Sequence, residues 1–279
     1  MPIFAQVAIV AFMVVLGIFI FRYTKFELKT QTLTLVSMLI IIAIALGTRY
    51  LTISLPIFGP ESFEIKFDTI PIMFAGILFG PAWGFIAGLT TDLLQLMFSG
   101  VAYPFFGFTL NLVLTGVIAG FVFSNKNKLS AKFMTFLTQT FIAIVSVIAI
   151  MYLSLNNTIR LSGEVFTLTL PIKIISSLVI FVLAFIIIIY LYRIQNHIED
   201  EKEKFFMSRF TTVVVLCEVI IQMILTSLWL SIMFELPWIV YMAPRVVEAI
   251  LMIFVYVVIG QLLYRLVFKR LLSNYHEQS

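Results

Sequence analysis

Apolar positions run through this chain in blocks of about twenty residues, and charged residues fall mostly in the gaps between the blocks. Runs such as Leu178 to Leu191 are apolar on every side, with neither the alternation of a half-buried strand nor the single stripe of a surface helix. About twenty apolar residues in helical form cross a hydrocarbon layer of about 30 Å. In lipid only helices and closed barrels satisfy their own backbone, and unbroken apolar blocks fit helices rather than barrel strands. The pattern predicts nine spans, at 3–22, 33–51, 69–79, 82–98, 106–124, 133–155, 169–192, 210–233 and 240–266. The third and fourth are short and meet at Gly80-Pro81. The residue before a proline is pushed out of the helical region, so a break is expected there, as two short spans or one bent hairpin.

Composition agrees and adds exclusions. Of 279 residues, 62% are hydrophobic and 11% charged, with a mean hydropathy of +1.12, whereas a soluble domain carries about a quarter charged residues. The net charge of +4 fits basic cytoplasmic loops better than a nucleic-acid partner. Cys217 is the single cysteine, which excludes an intramolecular disulfide. Met1 to Ile20 lacks a basic leader and a small-residue cleavage site, so it is expected to be a retained span.

The gaps alternate in charge. Arg22, Lys25 and Lys29 face one Glu27; Glu61, Glu64 and Asp68 face one Lys66; Lys126, Lys128 and Lys132 form a basic gap; Arg160 and Glu164 balance; 193–209 is densely charged; Arg265, Lys269 and Arg270 lie at the C-terminus. The positive-inside rule then predicts the N-terminus outside and the C-terminus in the cytoplasm, and the alternation holds only if 69–98 counts as two spans.

Ionisable groups inside spans are costly and are the first functional candidates. Arg49, Asp92, Arg245 and Glu248 lie toward the predicted outer side, as do Glu64, Lys66 and Asp68 in the preceding loop. In a helix over 210–233, Glu218, Gln222 and Thr226 share a face with Trp229. Together these groups suit a small-molecule pocket open to the outside. Taken singly, Arg49 and Arg245 also suit snorkelling anchors, Asp92 a packing ion pair, Glu218 a bond to a neighbouring helix, and Trp83, Trp229 and Trp238 an aromatic belt. Glycines at 76, 80, 84 and 88, and at 116 and 120, predict close helix packing; Ala43 and Gly47 form a further small pair. Two stretches, 153–193 and 230–265, share a pattern (Leu-Ser, then Pro, then Ile-Phe-Val, then Leu-Tyr-Arg) that fits a duplicated helix pair or chance similarity between apolar helices.

No G-x-x-x-x-G-K-[ST] loop is present, so ATP hydrolysis by that route is not expected, and no H-E-x-x-H accompanies His197 and His276. No metal or cofactor is expected. A lipid-modifying membrane enzyme using Asp92, Glu218 or Glu248 is one alternative, although no cluster has catalytic spacing. A structural or assembly subunit without ligand is another.

The stretches Thr48-Arg49-Tyr50-Leu51, Ile70-Pro71 through Gly80-Pro81, Thr91-Asp92-Leu93-Leu94, Phe105-Phe106-Gly107-Phe108-Thr109-Leu110 and Leu114-Thr115-Gly116 resemble the substrate-binding S components of energy-coupling factor (ECF) vitamin transporters, with the folate branch nearest. Thr226 through Ser231 and Pro244-Arg245 resemble that branch's last two helices. The resemblance covers about 33–124 and 208–268. It implies an all-α polytopic fold with a six-helix core (33–51, 69–79, 82–98, 106–124, 210–233 and 240–266) plus three extra spans. The chain then divides into an extra N-terminal helix and loop (1–32), core helices 1–4 (33–124), an inserted helix pair with its charged loop (125–207), and core helices 5–6 with a tail (208–279).

By the same resemblance, the chain is expected to capture a vitamin from outside, folate first, and to dock through Ala43 and Gly47 on a separate transmembrane coupling subunit driven by two ATPases. The S component is thought to tilt as a whole in the bilayer. Phe108 and Trp229 are expected to stack on flat rings. Arg49 and Arg245 are available for carboxylates, and Asp68, Asp92, Asn111, Gln222, Thr226 and Glu248 for hydrogen bonds. The loop 52–68 is expected to close as a lid. Gln222 and Thr226 stand where the folate branch tends to have asparagines, and Glu248 where it tends to have lysine. Glu248 and Asp68 favour a ligand with hydrogen-bond donors or positive charge over a strongly anionic tail.

Overall fold

The computed structural model describes residues 3–25, 32–55, 63–99, 104–124, 130–155, 157–161, 164–167, 169–197, 200–235 and 237–268. Glu27, Lys29, Glu61, Lys126, Lys128, Lys269, Arg270 and His276, and the tip of the expected lid at 56–62, lie outside them. Helices stand at every predicted span: α1 Ile3–Thr24, α2 Thr32–Arg49, α3 Thr69–Phe79, α4 Pro81–Ser99, α5 Phe106–Phe123, α6 Ala131–Leu155, α7 Leu170–His197, α8 Glu201–Leu216 followed by a π-helical stretch Cys217–Leu225 and α9 Thr226–Phe234, and α10 Trp238–Leu263. Six helical segments among the described residues are long and apolar enough to cross a membrane. The loops expected at 52–68 and 156–168 each contain a short antiparallel hairpin: β1 Ile53–Leu55 with β2 Phe63–Ile65, and β3 Thr158–Leu161 with β4 Glu164–Thr167. Strands of three and four residues are too short to show the period-2 alternation of a strand, which explains why the sequence shows only loops there.

The chain forms two compact units. The first comprises 1–128, 158–167 and 216–245. Its centre is the α3–α4 hairpin packed on α5. At 11 residues, α3 extends only ~16 Å, about half of a membrane's apolar thickness. Gly80, at φ +89° and ψ 176°, takes a backbone conformation between the helices that residues with a side chain rarely adopt, and Pro81 opens α4 at the position where its missing N–H costs nothing.

The glycine spacing has a direct cause. A Cβ on Gly84 would lie 2.2 Å from the carbonyl oxygen of Gly116, and one on Gly116 would lie 2.3 Å from that of Gly84. A Cβ on Gly76 would meet Gly116 O at 2.1 Å, and one on Gly120 would meet the nitrogen of Pro81 at 2.3 Å. These glycines therefore serve backbone contact inside the unit. Gly47 has nothing within 4 Å of its Cβ position, and Ala43 is exposed on the same helix.

The N-terminal helix α1 belongs to this unit, packing on α4 and α5. Ile20 is fully buried among Ala82, Phe85, Val113 and Val117. The Gln6 side chain donates to Pro104 O (3.0 Å) and accepts from Phe106 N–H (3.1 Å). Phe106 begins α5, whose first N–H groups have no partner within the helix, so Gln6 supplies a cap from another helix.

The second unit comprises 129–157, 168–215 and 246–279. Here α6 packs on α7. Hydroxyls join α6 to α8, Thr135 to Ser208 (3.2 Å) and Thr138 to Thr212 (3.0 Å), all buried. Glu203, in α8, accepts from Arg265 Nε (2.8 Å). A Cβ on Gly260 would lie 2.0 Å from the Phe210 ring, so α10 presses closely on α8.

The glycine contacts yield a differential test. Gly84→Val or Gly116→Val must separate two backbones, and overpacking of this kind costs about 1–3 kcal/mol or more. The expected result is a clear fall in melting temperature of the detergent-purified protein, whereas Gly47→Ala leaves it unchanged. Equal effects at the three positions would refute the backbone-contact account.

Candidate functional site

Within the first unit lies a cavity of about 320 Å³. It sits where α2 ends (Arg49), α3 begins (Asp68, Thr69), α4 ends (Asp92, Gln95, Ser99), α5 begins (Pro104, Phe105, Phe108, Asn111) and α9 ends (Met233), with Gln222 and Thr226 from the π-helical stretch and its exit. Alternating helix directions bring all these residues to one end of the unit. Lys66, from the segment after β2, also lines the cavity.

Asp68 is 3% exposed and Asp92 6%, although both are ionisable. A buried carboxylate needs partners. Asp92 accepts from Thr109 Oγ1 at 2.6 Å, one face of α5 against α4. Asp68 Oδ2 lies 3.6 Å from Arg49 Nη1. The same guanidinium donates a hydrogen bond to Gln95 Oε1. One arginine thus ties the C-terminus of α2 to the start of α3 and the last turns of α4.

A second network closes the opposite wall. Asn111 Nδ2 donates to Thr226 Oγ1 (2.8 Å), and Trp229 Nε1 donates to Asn111 Oδ1 (2.9 Å). Thr226 Oγ1 donates in turn to the carbonyl of Ile221, five residues back (3.0 Å). That five-residue interval is the π-helical repeat, a rare geometry that recurs at functional sites. Both polar ends of Asn111 serve the fold, leaving one amide N–H for the cavity. Trp229 is buried behind this wall, its ring 5.9 Å from that of Phe105.

The structure therefore brings Arg49, Asp68, Asp92, Phe108, Asn111, Gln222 and Thr226 together around one cavity. Trp229 is not among the lining residues; it orients Asn111 and packs on Phe105. Glu218 is buried and does not line the cavity, so the four-residue stripe expected from 218 to 229 is split between cavity and packing. Arg245 does not line it either, and Glu248 lies in the second unit, buried. Gln95 was absent from the sequence candidates. It falls three residues after Asp92 on α4, on the same face, and that spacing was the available signal. Among the described residues no group of His, Cys, Asp and Glu has the arrangement of a metal site.

A family model described as ECF transporter, substrate-specific component, matches residues 31–192. The folate transporter FolT of Clostridium novyi (strain NT) is 40% identical over 85 residues, 30% of this chain and 46% of that protein. An uncharacterized protein, the MG098 homolog of Mycoplasma pneumoniae (strain ATCC 29342 / M129 / Subtype 1), is 37% identical over 62 residues, 22% of this chain and 13% of that one. The matched stretch thus spans less than half the length of either curated relative. A crystal structure of FolT bound with folic acid aligns over 82% of this chain and 91% of that chain, at 18% identity and a TM-score of 0.47.

The Asn111 network predicts a measurable coupling. Thr226→Val strands an Asn111 N–H, and Trp229→Phe strands its Oδ1; each buried orphan costs about 1–3 kcal/mol. Both variants are expected to melt at lower temperature, and combining either with Asn111→Leu is expected to add little further loss, because the group it stranded is gone. Strictly additive losses in the melting temperatures would refute the network.

Proposed function

The chain belongs to the family of ECF transporter substrate-specific components, and from that premise we propose that it captures a vitamin with a heteroaromatic ring, folate first, from outside the cell. It is a multi-pass membrane protein of a transport family. The observation that carries the ligand reading is the cavity in which buried Asp68, Asp92 and Asn111 meet Phe105 and Phe108. Its volume of about 320 Å³ falls in the range of roughly 300–1,000 Å³ typical of small-molecule sites. Mixed aromatic and hydrogen-bonding walls suit a flat ring with polar edges. The 40% identity to a folate transporter over 85 residues supports folate as the first ligand to try.

In this reading Phe108 stacks on the ring, and Gln222, Thr226 and the free Asn111 N–H bond its nitrogens. Asp68 and Asp92 supply acceptors for ring N–H groups. The loop charges orient the chain with its N-terminus outside and C-terminus in the cytoplasm, which opens the cavity end to the exterior. The hairpin β1–β2 then stands over the mouth as a lid. The exposed Ala43 and Gly47 of α2 form the surface that docks on a transmembrane coupling subunit, with ATP hydrolysis left to two separate ATPase subunits. In the family's terms, 33–124 and 208–279 carry the core helices, 1–32 is an addition and 125–207 an insertion.

Native mass spectrometry of protein purified in mild detergent from cells grown in rich medium tests the reading directly, and a retained pterin-type mass is expected. Isothermal titration with folic acid should then show Phe108→Ala and Gln222→Ala weakening binding by about tenfold each, the equivalent of one hydrogen bond or one stacking contact. Empty protein that also fails to bind a vitamin panel would sink the proposal.

A further inference from the structure

Two buried polar atoms on the cavity wall have no hydrogen-bond partner: Oδ1 of Asp68 and Nε2 of Gln95. The two residues are 3% and 6% exposed, and both line the cavity. An unpaired polar atom at this depth is costly, so it signals a group that some other molecule is meant to satisfy. The two are also linked. Gln95 Oε1 and Asp68 Oδ2 meet the same atom, Nη1 of Arg49.

That shared contact decides their polarity. Arginine is donor-only. Gln95 must therefore turn its oxygen to the guanidinium, which leaves its NH₂ group as the face offered to the cavity. Asp68 likewise spends one oxygen on Arg49 and offers the other as an acceptor. Without Arg49 the Gln95 amide is free to flip, presenting either oxygen or nitrogen. We propose that Arg49 is a positioning residue that fixes an acceptor at Asp68 and a donor at Gln95, so that the cavity selects a neutral cyclic amide edge, an N–H beside a C=O. Arg49 then orients the readers and does not itself clamp a ligand carboxylate. The inference rests on the reading above that the cavity takes a heteroaromatic ring, and it names which edge of that ring is read and by what.

Folic acid and its 4-amino analogue make the test. They share every group except at ring positions 3 and 4. The 4-oxo ring offers N–H then C=O; the 4-amino ring offers a bare nitrogen then NH₂, the reverse order. A site built around fixed partners rejects the reversed edge strongly, since both wall groups would again be unpaired. Titration calorimetry on the purified full chain is expected to give wild type a preference of at least about tenfold for folic acid. Gln95→Glu replaces the donor by a second acceptor and is expected to move the ratio of the two dissociation constants at least about tenfold toward the 4-amino compound, whose 4-NH₂ gives the new carboxylate a donor where the 4-oxo group offers only an acceptor. Arg49→Met is expected to lower the preference for folic acid by about tenfold, because the freed Gln95 amide accepts either order while Asp68 still accepts from a ring N–H. Gln95→Met, which adds no charge, provides a second reading if the glutamate variant does not fold: the preference for folic acid falls by about tenfold. Ratios unchanged from wild type in folded Gln95 and Arg49 variants overturn the inference and leave the binding reading intact. Wild-type protein that binds neither compound removes both.

Discussion

Gly84 and Gly116 face each other with no side chain between them. The carbonyl of each occupies the place where a Cβ on the other would stand. In a bilayer the hydrophobic effect does little to drive one apolar helix against another, so close packing of backbones is a main source of cohesion. This contact fixes the distance of α5 from the α3–α4 hairpin. From that distance follow the bond from Thr109 to Asp92 and the placement of Asn111 and Gln95 on facing walls. A span as short as α3 is stable here because its residues Thr69 to Gly76 are buried by the same packing.

The second requirement is electrostatic. Buried carboxylates and amides must be satisfied, and the first unit satisfies most of those described by pairing across helices: Asp92 with Thr109, Asn111 with Thr226 and Trp229, Arg49 with Asp68 and Gln95. The exceptions cluster. Asp68 Oδ1 and Gln95 Nε2 remain without partners at the cavity, beside a guanidinium that is half exposed. Structural needs and binding capacity are thus divided within single side chains, one atom holding the fold and the other facing the cavity.

Two features that the apolar pattern did not announce shape this end of the unit. Gln6 of α1 caps the start of α5, where Pro104, Phe105 and Phe108 line the cavity, so the N-terminal helix contributes to the geometry of the site. The π-helical stretch before Thr226 lets the Thr226 hydroxyl reach the Ile221 carbonyl while still receiving Asn111. A regular α-helix would offer it the carbonyl of Gln222 instead.

The membrane class, the helix positions and the break at Gly80-Pro81 were determined by sequence alone. Solvent explains this: lipid demands long apolar helices, and proline and glycine act through their own backbone. The glycine ladder was legible as close packing, but its partner was not, since spacing says that backbones approach and not which ones. Seven expected site residues converge, six of them charged or polar groups that are rare enough in apolar segments to stand out one by one. Gln95, an ordinary polar residue near a helix end, did not stand out. Trp229 and Glu218 shared the predicted stripe yet took packing roles, and the two hairpins were too short to leave a pattern. Which atom of each polar side chain is spent on a neighbour and which is left for the cavity depends on contacts between residues up to 118 positions apart. Only the tertiary structure sets those contacts, because hydrogen bonds are directional and their partners come from helices that local sequence cannot bring together.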